Sequence, residues 1–525
     1  MEAPGNPAQG KEESGIIILF EKFGFFGPDS LSILMRWKKS RFFVNKRVVI
    51  RFLGKVCLLE AVLMVAPLLV GLIYGESVKT LMAFLATMGI LAVSGVTMMK
   101  IGPRQMKFTL VDGFAITSLS WFLLSFFGAL PFYFAGEIPS LLDAVFEMAS
   151  GFTTTGSSIL TDVEALSQSM LFWRSFSHLI GGMGILVFAF AFAPEMGEGA
   201  VNIMKAEVPG PEFGKLASKN KSSAFMLYKL YLIMTTVLIG LLCLAGMNLF
   251  DAMIHAFGTA GTGGFSNKAL SVGYFQNPLV EYILAIGMIA FGTNFNLYFL
   301  LFRKRFKRFF ANEELRLYWT LIILSTLAIM ICIGPSYRSM EALFRDSFFT
   351  VSTIISTSGF GTANFALWPL FAHIILLLLM FTGSMAGSTA GGIKVSRVLI
   401  YLKSMKREVR HAVHPRLLKP ITIDGKRPGD EYVRSVFVYL AIYAMVFTTG
   451  LLLVSFSEQD FMTAFSAVAA TFNNIGPGMA AVGPRSSFAA FSPFSKAVLT
   501  VLMIAGRLEI FPVMILFLPR VWKKK

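Results

Sequence analysis

Four short tracts end on the same feature, a glycine that follows hydroxyl or amide side chains. They are Thr154-Thr155-Gly156, Thr262-Gly263-Gly264, Thr357-Ser358-Gly359 and Asn474-Ile475-Gly476. Glycine permits a positive φ or a close backbone approach to a ligand. Backbone carbonyls arranged in a ring replace the water shell of a cation. Four such tracts, each lying between two long hydrophobic stretches, suggest a ring around one axis and make the chain a candidate cation pore. Tight helix packing through small residues is the alternative. The flanking Thr, Ser and Asn residues do not keep helical spacing, which argues against it.

The elements that position these tracts are read from hydropathy. The chain has 525 residues, of which 55% are hydrophobic and 15% charged. Its mean hydropathy is +0.67. A spanning helix needs about 20 mostly apolar residues. Two early spans, 52–74 and 78–98, are joined by only three residues and form a hairpin. Four copies of one unit follow, each a span, a short helix, a tract and a return span. Unit one reads 114–135, 141–151 and 170–192; unit two reads 225–247, 249–259 and 279–301. Unit three reads 319–333, 340–355 and 369–402; unit four reads 432–456, 459–472 and 493–519. Each short helix is too short to cross, so it must be re-entrant. Non-helical backbone at membrane depth is tolerated only inside protein or beside a water-filled cavity. Each short helix also aims its partially negative C-terminal end at the tract, which favours a cation.

The net charge of +17 raises the question of nucleic acid, but its distribution answers it. Lys and Arg cluster in short loops between apolar spans, as in Arg303, Lys304, Arg305, Lys307 and Arg308, and again from Lys403 to Arg434. This is the positive-inside pattern and makes those loops cytoplasmic, with the filter tracts opening outward. The outer loops of unit one carry Glu137, Asp143, Glu147, Asp162 and Glu164, read either as a cation-concentrating mouth or as ordinary solvated charge. Nucleic-acid binding is not expected. Cys57, Cys243 and Cys332 have no metal spacing and read as inert thiols. The segment before residue 46 lacks the features of a signal peptide.

With these residues in view, the chain resembles the Trk/Ktr/HKT superfamily of potassium transporters, closest to the TrkH-type membrane subunit. The resemblance rests on Ser150-Gly151-Phe152-Thr153-Thr154-Thr155-Gly156, Gly263-Gly264-Phe265-Ser266, Ser356-Thr357-Ser358-Gly359-Phe360 and Asn473-Asn474-Ile475-Gly476-Pro477-Gly478. Glu207-Val208-Pro209-Gly210-Pro211 and Gly506-Arg507-Leu508-Glu509 agree with it. It implies an all-α polytopic membrane protein, with four pseudo-symmetric helix–re-entrant pore loop–helix units around a central pore and an N-terminal transmembrane hairpin before them. The corresponding division is 1–51 (cytoplasmic segment), 52–104 (hairpin) and pore units 105–202, 203–308, 309–410 and 411–525. The resemblance implies that glycine at all four filter positions goes with potassium selectivity, and serine at the first with sodium passage. It further implies a homodimer in the bacterial inner membrane, in contact with lipid. A cytosolic ring of nucleotide-binding RCK subunits (TrkA-like) would dock on the basic loops. Potassium would be the transported ligand, and no cofactor is expected on this chain.

Two further features follow. The stretch from Gly383 through Gly387, Ser388, Gly391 and Gly392 interrupts the return span of unit three, and glycine is poor in a helix. By resemblance it is an intramembrane loop that gates the path under the filter. Because Gly383, Gly387 and Gly391 are four apart, a packing seam on one helix is the alternative. Lys394 and Arg397 are expected to mark its cytoplasmic end. Arg507 lies inside a span, where a charge is costly and functional by default. By resemblance it projects into the pathway; a structural pair with a buried acid is the alternative. Glu509, two residues on, does not share its helix face. His411 and His414 are too few for a metal site and read as a plain loop or docking surface. No nucleotide or hydrolase motif stands in a suitable context, and no polar cluster suits an enzyme. A proton- or sodium-coupled transporter with mid-membrane broken helices is the competing class.

Overall fold

The computed structural model describes residues 43–102, 109–184, 221–415, 420–458 and 460–522. The Glu207–Pro211 motif, the first 42 residues and the far end of the first return span fall outside the described residues. Among the described residues the chain is helical, apart from one isolated antiparallel bridge between Ile423 and Lys426.

The N-terminal hairpin pairs α1 (Lys46–Leu63) and α2 (Val65–Ile73) with α3 (Val78–Ile101). The first span breaks at Met64 because Pro67 lacks an amide hydrogen and its ring crowds the carbonyl of Leu63. Unit one contains α4 (Leu110–Ala135), α5 (Leu141–Phe152) and α6 (Gln168–Gly182). Unit two contains α7 (Lys221–Leu244), α8 (Leu249–Gly261), α9 (Pro278–Phe291), α10 (Phe295–Phe302) and α11 (Phe306–Ala311). Unit three contains α12 (Glu313–Ile333), α13 (Met340–Ile355), α14 (Leu370–Thr382) and α15 (Val395–Val413). Unit four contains α16 (Asp430–Ser455), α17 (Phe461–Phe472), α18 (Pro493–Arg507), α19 (Phe511–Leu516) and α20 (Pro519–Trp522).

Six of the described helices are long and apolar enough to cross a membrane, or seven if the bent pair α9–α10 counts as one. Leu244 and Ile331 are 86% and 83% exposed on their outer faces. Such open apolar surface on so many helices suits lipid rather than water. The short helices are built to stop. α5 and α17 have 12 residues each, or roughly 18 Å at 1.5 Å per residue, well short of a hydrocarbon core of about 30 Å. All four begin on a side-chain cap. Ser140, Asn248, Ser339 and Asp460 accept the amide hydrogens of Asp143, Asp251, Ala342 and Thr463. The Thr463 hydroxyl and amide hold the Asp460 carboxyl below its ordinary range.

The return spans differ from the continuous helices expected over 279–301 and 493–519. The second bends by 97° between α9 and α10, where Asn294 caps the new helix by accepting the Asn296 amide. The fourth breaks after Arg507, where Glu509 and Ile510 take φ of 53° and 70°. The third is interrupted by the Gly383–Gly392 loop, with φ of 65°, 75° and 77° at Gly383, Gly387 and Gly392. A packing seam requires a continuous helix, so that alternative is excluded.

The hairpin is tied to unit one through Asp112. Its carboxylate accepts the Asn45 amide at 2.7 Å and closes a capping box with Thr109 at the start of α4. Asp112→Ala removes both the Asn45 contact and the box. The expected loss is about 0.5–2 kcal/mol, read as a lower unfolding temperature in detergent; an unchanged temperature would contradict this anchoring.

Candidate functional site

The four tracts grow out of four identical helix endings. At each C-terminus, one residue folds back to the carbonyl three before it and the next reaches the carbonyl five before it. Thr154 donates to Gly151 and Thr155 to Ser150; Thr262 donates to Thr259 and Gly263 to Gly258. Thr357 donates to Ile354 and Ser358 to Thr353; Asn474 donates to Thr471 and Ile475 to Ala470. This is the Schellman ending, whose turning residue sits in the left-handed region and is usually glycine. Here it is Thr or Asn at φ of 54°, 58°, 56° and 55°. Two residues later the glycine also turns left-handed, at 81°, 74°, 80° and 100° for Gly156, Gly264, Gly359 and Gly476.

These tracts meet one another in cyclic order. A methyl group at Gly156 would overlap the Gly263 carbonyl oxygen, one at Gly264 the Ser358 carbonyl, and one at Gly359 the Ile475 carbonyl. One at Gly476 would lie 2.8 Å from the Thr155 carbonyl oxygen. Each tract thus lies against the next, and the fourth returns to the first. All twelve tract residues predicted from sequence come together here. The seam between the ends is held by the Ser157 hydroxyl donating to the Gly476 carbonyl at 3.0 Å and the Asn474 amide donating to the Thr155 hydroxyl at 2.9 Å.

The Gly383–Gly392 loop reaches the same place. The Gly391 amide donates to the Thr357 hydroxyl at 2.8 Å. A methyl at Gly391 would overlap the Asn473 carbonyl. The Ser388 hydroxyl turns back on the Met385 carbonyl at 2.7 Å, while the Gly387 carbonyl accepts the Phe295 amide from unit two at 3.1 Å. Arg507 donates to the Thr389 carbonyl of the loop, and to the Gly181 and Gly182 carbonyls at 2.5 and 3.0 Å. It therefore joins units one, three and four. Glu509 turns away to pair with Arg397, which excludes a direct Arg507–Glu509 bridge. Lys394 and Arg397, which follow the loop, are both buried, and Lys394 donates to the Ala390 carbonyl.

Comparison with known proteins bears on this geometry. The family model described as "TrkH: Cation transport protein" matches residues 80–524. A relative from Escherichia coli K12, named Trk system potassium uptake protein TrkH, is 35% identical, over 91% of this chain and 99% of its own length. The chain belongs to the TrkH family. A second E. coli relative, the Trk system potassium uptake protein TrkG, is 34% identical over 91% of this chain and 99% of its own. The crystal structure of the potassium transporter TrkH from Vibrio parahaemolyticus matches with a TM-score of 0.80 and 34% identity, covering 91% of this chain and all of that one. Family and apolar helices together make this a multi-pass membrane protein with an all-α fold.

In this TrkH-family chain the tracts are braced by residues that the sequence reading missed. His178 accepts the Phe265 amide on Nε2 at 3.2 Å. Its proton is therefore on Nδ1, which donates to the Gly151 carbonyl at 2.7 Å. One neutral ring thereby links the first short helix to the second tract. Glu147, expected at an outer mouth, is instead buried and paired with buried Arg174 at 2.7 Å. Its carboxylate also accepts the Ile159 amide at 2.9 Å, and Arg174 reaches the Ser266 carbonyl at 3.3 Å and covers the Phe265 ring. Asp143 pairs with Lys496, and Glu164 with Lys268. Three of the five outer acids are thus paired with Arg or Lys, while Glu137 accepts from Ser167 and Asp162 from the Glu164 amide. The only sequence signal for Arg174 was a lone arginine in an apolar return span.

Removing Arg174 strands a buried carboxylate. Arg174→Ala is expected to cost about 3–5 kcal/mol, whereas Glu164→Ala, which removes an exposed carboxylate paired with half-buried Lys268, costs less than about 1 kcal/mol. Melting of both variants in the same detergent checks the contrast, and equal shifts would overturn it.

Proposed function

We propose that this chain is the potassium-conducting membrane subunit of a Trk-type uptake system. The observation that carries the reading is the cyclic contact of four left-handed tracts, which brings main-chain oxygens of Thr155, Gly263, Ser358 and Ile475 to the junctions of one ring. A potassium ion entering it would exchange its water for these carbonyls. The C-terminal ends of α5, α8, α13 and α17 would add partial negative charge at the same place. No covalent step is needed, since the membrane potential and the ion gradient supply the drive. The names of the relatives, all potassium uptake proteins of Trk systems, support this substrate.

The Gly383–Gly392 loop is the gate in this reading. It lies against Thr357 and Asn473, and Arg507 pins it from the opposite side with a fixed positive charge that repels a descending cation. The basic loops support a cytoplasmic side there, and in this reading the ring opens outward from a bacterial inner membrane. A homodimer and a nucleotide-binding regulatory ring on the basic face complete the proposal.

One observation favours proton coupling as a second reading. Glu60 of α1 is buried, and neither carboxylate oxygen has a hydrogen-bond partner among the described residues. Such a group inside a span is a default proton site. A current reversing at the potassium equilibrium potential, unmoved by a pH gradient, excludes tight coupling.

The test of the ring is cation flux in proteoliposomes. Wild type is expected to pass K⁺ over Na⁺. Gly156→Ser places a Cβ where the Gly263 carbonyl lies, so it should displace one ring oxygen and loosen the preference by about tenfold or more, the equivalent of about 1.4 kcal/mol. Equal flux in wild type, or an unaltered preference in the variant, would sink the reading.

A further inference from the structure

The Gly383–Gly392 loop is held at one end by a buried carboxylate that its own sequence does not supply. Glu314, the second residue of α12, accepts the Ala386 amide at 2.7 Å. Glu314 is 9% exposed. A hydrogen bond to a buried acceptor is not diluted by water. One side chain of α12 thus clasps the loop at Ala386.

The neighbouring residue faces the other way. Glu313 pairs with Lys403 on α15, and Lys403 also donates to the Thr422 carbonyl at 2.5 Å. The α12 N-terminus is capped from outside by Asp424, which accepts the Glu313 amide at 2.8 Å and the Asn312 side-chain amide at 2.6 Å. Asp424 sits in a tight turn closed by paired bonds between Ile423 and Lys426 at 2.8 and 2.9 Å. Asp424 and Gly425 take φ of 49° and 75°, the geometry of an Asp-Gly hairpin turn. Asp424, Gly425, Lys426 and Arg427 are exposed. A rigid, exposed turn therefore grips the first turn of α12 on one side, while that same helical turn grips the loop on the other.

We propose that Glu314 is a positioning residue that holds the Gly383–Gly392 loop under the ring, and that Asp424 transmits displacement of the 423–426 turn to it. This rests on the reading of that loop as the gate. A protein that docks on the basic face and moves the turn would pull α12 by its cap and slacken the clasp. Glu314 is bonded to the loop but touches no tract residue among its described contacts, so its action is on gating and not on selectivity.

The experiment is K⁺ and Na⁺ flux through the full-length chain in proteoliposomes, for wild type, Glu314→Ala, Glu314→Gln, Asp424→Ala and the Glu314→Ala/Asp424→Ala pair. Glu314→Ala is expected to raise K⁺ flux about tenfold, the order that leaving one amide hydrogen unpaired carries. Glu314→Gln should retain most of the closure, because its amide oxygen still accepts the Ala386 amide. Asp424→Ala should raise flux in the same direction, and the pair should exceed neither single variant by its full factor, since both act through one clasp. The K⁺ preference should not change. Asp424 is exposed, so its variant tests the link even if Glu314→Ala fails to fold, with Glu314→Gln as the second measure. Wild-type flux in Asp424→Ala, or multiplying effects in the pair, would overturn the proposal while leaving the pore reading intact. Equal K⁺ and Na⁺ flux in wild type would instead remove the reading beneath it.

Discussion

The structure depends on one constraint: four segments of main chain must touch one another with no side chain between them. A single Cβ at Gly156, Gly264 or Gly359 would occupy the space of a neighbouring carbonyl oxygen. The contact also demands left-handed backbone at two positions in each tract, and only one of the two is glycine. Thr154, Thr262, Thr357 and Asn474 hold that conformation at a cost of order 1–3 kcal/mol each. The Schellman bonds behind them offset it, since each left-handed residue satisfies carbonyls that the helix end would otherwise leave bare.

Everything around the tracts serves to keep that backbone satisfied at membrane depth. Irregular main chain in lipid would leave polar groups unpaired, and here it is surrounded by protein. His178 bridges two units in one fixed tautomer, and Asn474 reaches both Thr155 and the Met503 carbonyl. The breaks in the return spans extend the same logic. At the end of α6, the Gly181 and Gly182 carbonyls accept from Arg507. An arginine with several donors in a fixed fork is suited to gather carbonyls from separate elements, which a lysine is not.

Charge in this fold is therefore mostly structural. Arg174–Glu147 is a buried pair between the consecutive helices α5 and α6, and Arg397–Glu509 a largely buried pair between elements far apart in sequence. Neither member of such a pair is cheap to remove, because the survivor is left without water or a counter-charge.

Much of this was legible in sequence. Apolar length marked the hairpin and the first span of each unit, because lipid imposes a minimum run of apolar residues on any crossing helix. The four Thr/Asn-to-glycine tracts were visible because left-handed backbone and close approach restrict residue type. The glycine-rich interruption of the third return span was visible for the same reason. The breaks after Phe291 and Arg507 were not, since the single glycines Gly292 and Gly506, with an Asn cap at Asn294 and with Pro512, are a weak signal within a long apolar run. The outer acids looked alike in sequence, yet Glu147 is buried on Arg174 while Glu164 remains at the surface. Local chemistry decides which backbone shapes a residue permits. Only the packed chain decides which distant group it meets, and so whether a charge is a partner, a brace or a solvated bystander.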